Sequence, residues 1–549
     1  MPSSSSLRAV SCLLALFIGG ALLPGAAQQA PAKRRAPPRK ERADVLRFRA
    51  RAEAILSGSA AQLSPRVAKG HWGALILDAK TGETLFDFNS QRYFTPASNT
   101  KLYTTAVALA ALGPDYKFRT TVESHGTLDS RGRLRGDLVL VGRGDPNLSN
   151  RKLPQGREVE RDGPPEKILQ QLADATVAAG LRHVEGDVVA DDSWFSARRY
   201  PAGWEIDDMP FNHGAAVSAL AVNDNTLVVE VHPGAAVGEP AWLIVDPWSG
   251  YYSFENQIET VASAPEAGPA ARIRIRREPG SRRIVLRGSI ALGSDRETLS
   301  VGIEEPAEHA SVLFRRLLEA RGVRIFGQAR ARHAADPAAQ QAAGDAIEQA
   351  IAVGEPPHVF ADHESLPLLE SIRVINKVSQ NLHTELLLRA VGRERLRDGS
   401  TEAGLRFAQE LFATMGIAER DVVLYDGSGL SRHNLITPQA TVKLLQWVAQ
   451  QPWAASYRET LPVSGQDGTL TRRMSGTSAA GRVSAKTGTL ESVNALSGYA
   501  TSLHGSELIF SMFGNSHNLR GGDATAVLDA LCVAMVEEFG APPPPRKRR

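Results

Sequence analysis

Apolar residues follow two distinct rhythms along this chain of 549 residues. Leu102, Ala106, Val107, Leu109, Ala110 and Leu112 run without Gly or Pro until Gly113, which predicts an Ala-rich buried helix opening near Ser98. Leu368, Leu369, Ile372, Ile375, Val378, Leu382 and Leu386 recur at helical spacing and predict helices with one apolar face. Between these two regions the rhythm shortens. From Phe118 to Val141 and from Ile273 to Leu292, stretches such as Ile273-Arg274-Ile275-Arg276 and Ile284-Val285-Leu286 alternate with Gly, Asp and Ser, the pattern of strands and turns. A helical interval from Pro165 to Leu181 precedes the strand-like Gly186-Asp187-Val188-Val189-Ala190. An irregular stretch with Trp194, Phe195, Tyr200, Trp204, Trp242, Trp248 and Tyr251 then reads as core.

The ends of the chain differ from the rest. An apolar run from Ala9 to Leu23 follows Arg8 and leads to Gly25-Ala26-Ala27, the small-residue pattern of a signal-peptidase site. The run is shorter than the ~20 residues of a membrane span, so export with cleavage after Ala27 is expected. Cys12 would leave with residues 1–27, and Cys532 then stands alone, which excludes an intramolecular disulfide. Residues 28–45, rich in Pro, Ala, Lys and Arg, and the tail 541–549 read as disordered basic segments, suited at most to weak electrostatic attraction to membrane or wall. The net charge is only +3, so nucleic acid is not expected as a partner.

Three short motifs carry the chemistry. Ser98-Asn99-Thr100-Lys101, Ser379-Gln380-Asn381 and Lys486-Thr487-Gly488 occur in this order, the signature of an acyltransferring serine with lysine as its base. A serine hydroxyl must lose its proton as it attacks, and residues three apart on a helix share a face, so Lys101 can meet Ser98. Two decoys have other readings. Ser149 and Lys152 lie among Gly144-Asp145-Pro146-Asn147 and Pro154, where a solvated turn is expected. Lys80-Thr81-Gly82 lies between apolar stretches, as the turn of a hairpin does. No His-Glu-x-x-His triplet or His-x-His pair suggests a metallopeptidase, and neither metal nor cofactor is expected.

Ser98 and Ser379 are too far apart in sequence for one compact domain, which argues for inserted domains, mostly β, between them. The Ala/Gln-rich segment from Ala334 to Ala343 and the break at Gly354-Glu355-Pro356-Pro357 mark the exit.

Together with Phe94-Thr95-Pro96-Ala97, Asn376-Lys377-Val378, Asp426-Gly427-Ser428-Gly429-Leu430-Ser431-Arg432 and Asp467-Gly468-Thr469-Leu470, these motifs resemble a family. It is that of exported D-alanyl-D-alanine carboxypeptidases/endopeptidases, low-molecular-mass class C penicillin-binding proteins with a large insertion after the nucleophile helix. The resemblance spans Gly70 to Gly540. It implies an α+β fold: a serine β-lactamase/penicillin-binding transpeptidase-like catalytic domain, an antiparallel sheet flanked by helices, with nested insertions. The expected division is 46–118 with 358–540 for the catalytic domain, 119–190 with 286–357 for a second domain, and 191–285 for a third nested within it.

The resemblance also implies substrates, namely peptidoglycan stem peptides and their cross-links, with β-lactams as mimics. Ser98 would be the nucleophile, Lys101 its base, Ser379 a proton relay, Asn381 a hold on the substrate amide, and Lys486, Thr487, Gly488 and Thr489 the carboxylate site. Backbone N–H groups of Ser98 and Thr489 would hold the oxyanion. Burial and the charge of Lys486 would lower the pKa of Lys101. Asp191, with Asp192 as the alternative, would hold the ammonium end of diaminopimelate and Arg432 its carboxylate. Competing readings are a serine β-lactamase or esterase, which would deacylate rapidly, and a non-catalytic wall-binding protein, which would not acylate at all.

Overall fold

The computed structural model describes residues 41–60, 63–151, 161, 163–263, 273–335, 356–519 and 521–540. The expected signal peptide, most of the first basic segment, the tail and the Ala/Gln-rich exit fall outside them. No helix among the described residues is long and apolar enough to cross a membrane.

Residues from both ends of the chain build the central sheet. Its order is Thr84–Phe88, His71–Asp78, Glu507–Asn515, Val493–Thr501 and Val483–Leu490, with every neighbouring pair antiparallel. The side chains alternate between two cores, as a pleated strand requires. Leu75, Leu77, Ile509 and Phe513 face one, and Ala74, Ile76, Phe510 and Met512 the other. The first core contains the helices Thr100–Leu112, Leu368–Val378 and Asn381–Leu396. The second is closed by Ala43–Leu56 and Gly521–Glu538, with the ring centroids of Phe48 and Phe539 4.7 Å apart. Ala43–Leu56 thus begins inside the segment expected to be disordered to residue 45, because Val45, Phe48, Ala52 and Ile55 form a buried stripe that has a partner helix.

The inserted residues have cores of their own. A five-stranded sheet runs Ala329–Arg332, Val188–Asp191, Leu138–Val141, Arg119–Ser124 and His358–Glu364, and the helices Lys167–Ala178 and Pro306–Glu319 cover it. His358–Glu364, expected to open the second half of the catalytic domain, pairs instead with Arg119–Ser124. Similarly Glu297–Gly302, placed in the second domain, pairs with Thr226–His232 in a smaller sheet. Period-two alternation locates a strand but does not say which edge it joins. Among the described residues from Leu227 to Ile303, Val229, Val231, Ile258, Leu286 and Ile290 share one buried cluster.

The decoys separate in the structure. Lys80-Thr81-Gly82 is an exposed hairpin turn whose backbone and hydroxyl donate to Asp78 Oδ1. Ser149 does lie in a turn, but it is fully buried rather than solvated, and its Oγ accepts from the N–H of Asp224 at 2.6 Å. Lys152 lies outside the described residues.

Candidate active site

Ser98 sits in a single helical turn, Ala97–Asn99, that runs directly into Thr100–Leu112. One turn later Lys101 is fully buried, and its Nζ has three neighbours: Ser98 Oγ at 2.8 Å, Asn381 Oδ1 at 2.6 Å and the carbonyl of Ser428 at 2.7 Å. The last two can only accept. A neutral amine has two hydrogens and one lone pair, so these acceptors take the hydrogens and leave the lone pair facing the serine hydroxyl.

Ser379 and Asn381 stand where two helices meet. Leu368–Val378 ends at Ser379, whose φ of 64° is left-handed and breaks the chain before Asn381–Leu396 begins. This break aims Ser379 at Lys486, whose Nζ donates to Ser379 Oγ at 2.9 Å. Lys486 lies on the edge strand Val483–Leu490 and is fully buried. Its carbonyl accepts from Asn99 Nδ2 at 3.0 Å, which ties the strand to the nucleophile turn. The approach is close enough to require glycine at position 488, where a Cβ would lie 2.7 Å from the Pro96 oxygen. Thr487 Oγ1 pairs with Thr469 Oγ1 at 2.8 Å. An open cleft of about 220 Å³ results, lined by Ser98, Ser379, Thr469, Arg473, Thr487, Thr489 and Thr525.

Burial lowers the Lys101 ammonium to about 7, although Asp426 and Glu385 pull in the opposite direction. Lys486 is held well below its ordinary value by burial and by the charge of Lys101. The expected lowering of Lys101 thus has burial as its cause, whereas the charge of Lys486 does not figure in it, and the expectation omitted the two carboxylates. Glu385 lies one turn after Asn381 and is itself pushed up to about 7 by burial and by Asp426. It accepts from the N–H groups of Gly427 and Ser428, and so holds the loop whose carbonyl meets Lys101. Asp426, fully buried, accepts from Gly429 N, Ser431 N, Asn434 Nδ2 and Trp204 Nε1. Trp204, read from the sequence as plain core, therefore brings an inserted residue to the floor of the site.

Asp191 and Arg432 are neither in the cleft lining nor in the hydrogen bonds that join the lysines to Ser98 and Ser379. Asp191, at the end of Val188–Asp191, pairs with Arg332 at 3.1 Å, while Asp192 accepts from Ser218 Oγ and faces His333 Nδ1 at 2.7 Å. Both acids are nearly buried rather than exposed. Arg432 donates to Glu205 at 2.6 Å and to the carbonyl of Glu491. Arg473 was missed from the sequence: it enters the cleft, held by Asp529 at 2.6 Å.

An antiparallel sheet with helices on both faces and two buried lysines, each hydrogen-bonded to a serine hydroxyl, give the arrangement of a serine hydrolase with an α+β fold of the penicillin-binding-protein kind. A profile of the D-Ala-D-Ala carboxypeptidase 3 (S13) family matches residues 53–535, and the chain belongs to that family. The enzyme is accordingly a D-Ala-D-Ala carboxypeptidase. The D-alanyl-D-alanine carboxypeptidase of Actinomadura sp. (strain R39) is 36% identical over 479 residues, covering 85% of this chain and 81% of its own. The D-alanyl-D-alanine carboxypeptidase DacB of Haemophilus influenzae is 25% identical over 455 residues, 81% of this chain and 85% of its own. The crystal structure of penicillin binding protein 4 (dacB) from Haemophilus influenzae has the same fold, with a TM-score of 0.72 at 23% identity over 89% of this chain and 99% of that one.

Proposed function

We propose that Ser98 attacks the carbonyl carbon of the penultimate D-Ala in a peptidoglycan stem peptide while Lys101 accepts the hydroxyl proton. The observation that carries this reading is the buried Lys101 Nζ, 2.8 Å from Ser98 Oγ and lowered to about 7. The oxyanion that forms is met by the N–H groups of Ser98 and Thr489, donors worth ~10²- to 10³-fold each in rate. Ser379 passes the proton from the lysine network to the departing nitrogen, the C–N bond breaks, and D-Ala leaves an ester on Ser98. Water then hydrolyses the ester. Asn381 holds the substrate amide, and Lys486, Thr487, Gly488 and Thr489 receive the terminal carboxylate. A β-lactam presents the same carbonyl and leaves a slower ester, which makes the protein penicillin-sensitive.

The same site would cleave D-Ala to diaminopimelate cross-links, with Asp191 and Arg432 holding the charged ends of the diaminopimelate side chain. Arg332 and Glu205, their present partners, would then share or release them. We further read the chain as exported to the periplasm after cleavage at residue 27, and as three nested domains, the catalytic one formed from both ends. Mass spectrometry of the purified protein with penicillin and defined muropeptides tests the reading, because it reports acylation and both cleavages. Ser98→Ala should abolish the penicillin adduct in folded protein; an adduct that persists would overturn the assignment.

A further inference from the structure

A side-chain amide has one donating and one accepting end, and its neighbours decide which faces where. Asn381 is gripped at both. Its Oδ1 receives the hydrogen bond from Lys101 at 2.6 Å, and its Nδ2 donates to the backbone carbonyl of His213 at 2.9 Å. A carbonyl only accepts, so His213 fixes the NH₂ end toward itself and leaves the oxygen for Lys101. Were the amide reversed, its NH₂ would donate to the lysine lone pair and take it from Ser98. His213 belongs to the insertion, in the turn Asn212–Gly214, where a Cβ on Gly214 would come within 2.2 Å of the Asp208 oxygen.

Two residues beyond Asn381 on the same helix, His383 is fully buried with Nε2 2.8 Å from Asp224 Oδ1. Its Nδ1 has no partner, so Asp224 is the ring's one hydrogen-bond anchor among the described residues. Asp224 also comes from the insertion. Arg151 Nε donates to its other oxygen at 2.6 Å, and its N–H donates to Ser149 Oγ. Burial would raise its carboxyl, but Arg151 and His383 outweigh that and keep it ionised. The turn that carries it is unusual: Asn223, Asp224 and Asn225 have φ of 51°, 55° and 52°, left-handed conformations that Asn and Asp tolerate best. Asn223 Nδ2 and Asn225 Nδ2 hold this run by donating to the carbonyls of Thr226 and Ala216. Strain of this kind persists where the surroundings over-determine it, and it clusters at functional sites.

We propose that the insertion is a positioning element of the catalytic centre: the Asp224–His383 pair fixes the first turn of the helix that carries Asn381, and the His213 carbonyl sets the amide so that Oδ1 faces Lys101. Asp224, His383 and His213 touch no reacting atom and act through Asn381. The inference rests on the assignment of Ser98, Lys101 and Asn381 to the reaction.

The test is a double-mutant cycle on the full chain, read as the acylation rate constant with a chromogenic cephalosporin and as kcat and KM for an acyl-D-Ala-D-Ala peptide. His383→Phe keeps a ring and removes the hydrogen bond. It should lower acylation and kcat by about 10- to 100-fold, the scale of a small misplacement of catalytic groups, with KM little changed. His383→Gln, whose amide nitrogen reaches the place of Nε2, should recover most of the loss. In an Asn381→Ala background, His383→Phe should cost less than about twofold more. Equal losses in both backgrounds, or a Gln variant as impaired as the Phe variant, would overturn the proposal. If His383→Phe does not fold, Gly214→Ala puts the same question through the His213 carbonyl and is judged by the same criterion. Ser98→Ala run alongside separates the two levels. An adduct in Ser98→Ala overturns the site itself, whereas no adduct together with additive losses overturns only the positioning role.

Discussion

Glu385→Gln should make the enzyme a better nucleophile near neutral pH. The carboxylate of Glu385 accepts from Ser428 N at 2.7 Å, and the Ser428 carbonyl accepts from Lys101 at 2.7 Å, so the backbone of one residue separates the two charges. At a separation of roughly 7 Å and an effective dielectric of ~20, their attraction is about 2 kcal/mol. The Glu385 carboxyl is pushed up to about 7 and is therefore ionised only about half the time at that pH, which leaves a mean effect of about 1 kcal/mol. That corresponds to somewhat under one unit in the apparent pKa of Lys101, now at about 7. Glu385 favours the ammonium, so its neutralisation favours the free amine, the form that the proposed mechanism requires of Lys101. Hydrogen bonding is largely conserved in the variant. Oε1 takes both short bonds, at 2.9 and 2.7 Å, and only the 3.1 Å branch to the other oxygen is lost. Acylation by a chromogenic penicillin, followed from pH 5 to 9 at constant ionic strength, should rise through about pH 7 in the wild type. In the variant the limb should move down, giving about a 1.7-fold faster reaction at pH 7, where Glu385 is still half ionised, and a vanishing gain below pH 6, where it is already neutral. The apparent value belongs to the coupled lysine network as a whole. A limb that stays in place or moves up would refute the reasoning.

Lys486→Ala should lose turnover heavily and shift the pH profile, whereas Lys80→Ala, in an exposed hairpin turn, should do neither; steady-state rates across pH compare them. Gly488→Ala should lower acylation by about 10²-fold, because its Cβ would press on the Pro96 carbonyl 2.7 Å away and push the edge strand off the nucleophile turn. Asp191→Asn and Arg432→Gln should each weaken kcat/KM for diaminopimelate-bearing peptides by ~1 to 3 kcal/mol and leave a bare acyl-D-Ala-D-Ala peptide unaffected. Equal losses on both substrates would assign these two residues to their ion pairs with Arg332 and Glu205.

Much of the site could be read from the chain because its parts are local. Helix geometry alone brings Lys101 to Ser98, and Glu385 lies one turn beyond Asn381, where the same rule could have found it. The left-handed Ser379 was not legible, because serine has no preference for that conformation; packing of the two flanking helices imposes it. Nor were the contacts that cross from the insertion: Trp204 on Asp426, Glu205 on Arg432 and His213 on Asn381 join residues with no common period. The strands were visible from alternation, but the edge that His358–Glu364 joins depends on the twist and exposure of a sheet assembled elsewhere.

The central sheet pairs His71–Asp78 with Glu507–Asn515, and this bears on when the enzyme comes into being. During synthesis the nucleophile helix appears early, with one side of its supporting strand unfilled. The inserted residues have hydrophobic cores of their own and can condense while the chain is still growing. The edge strand that carries Lys486, and the two strands linking it to the first, arrive last. A nascent or truncated chain thus holds Ser98 and Lys101 without Lys486 and the strand that closes the other side of the cleft. Hydrolytic competence is deferred until nearly the whole polypeptide has been delivered, so the order of the strands itself works against premature activity.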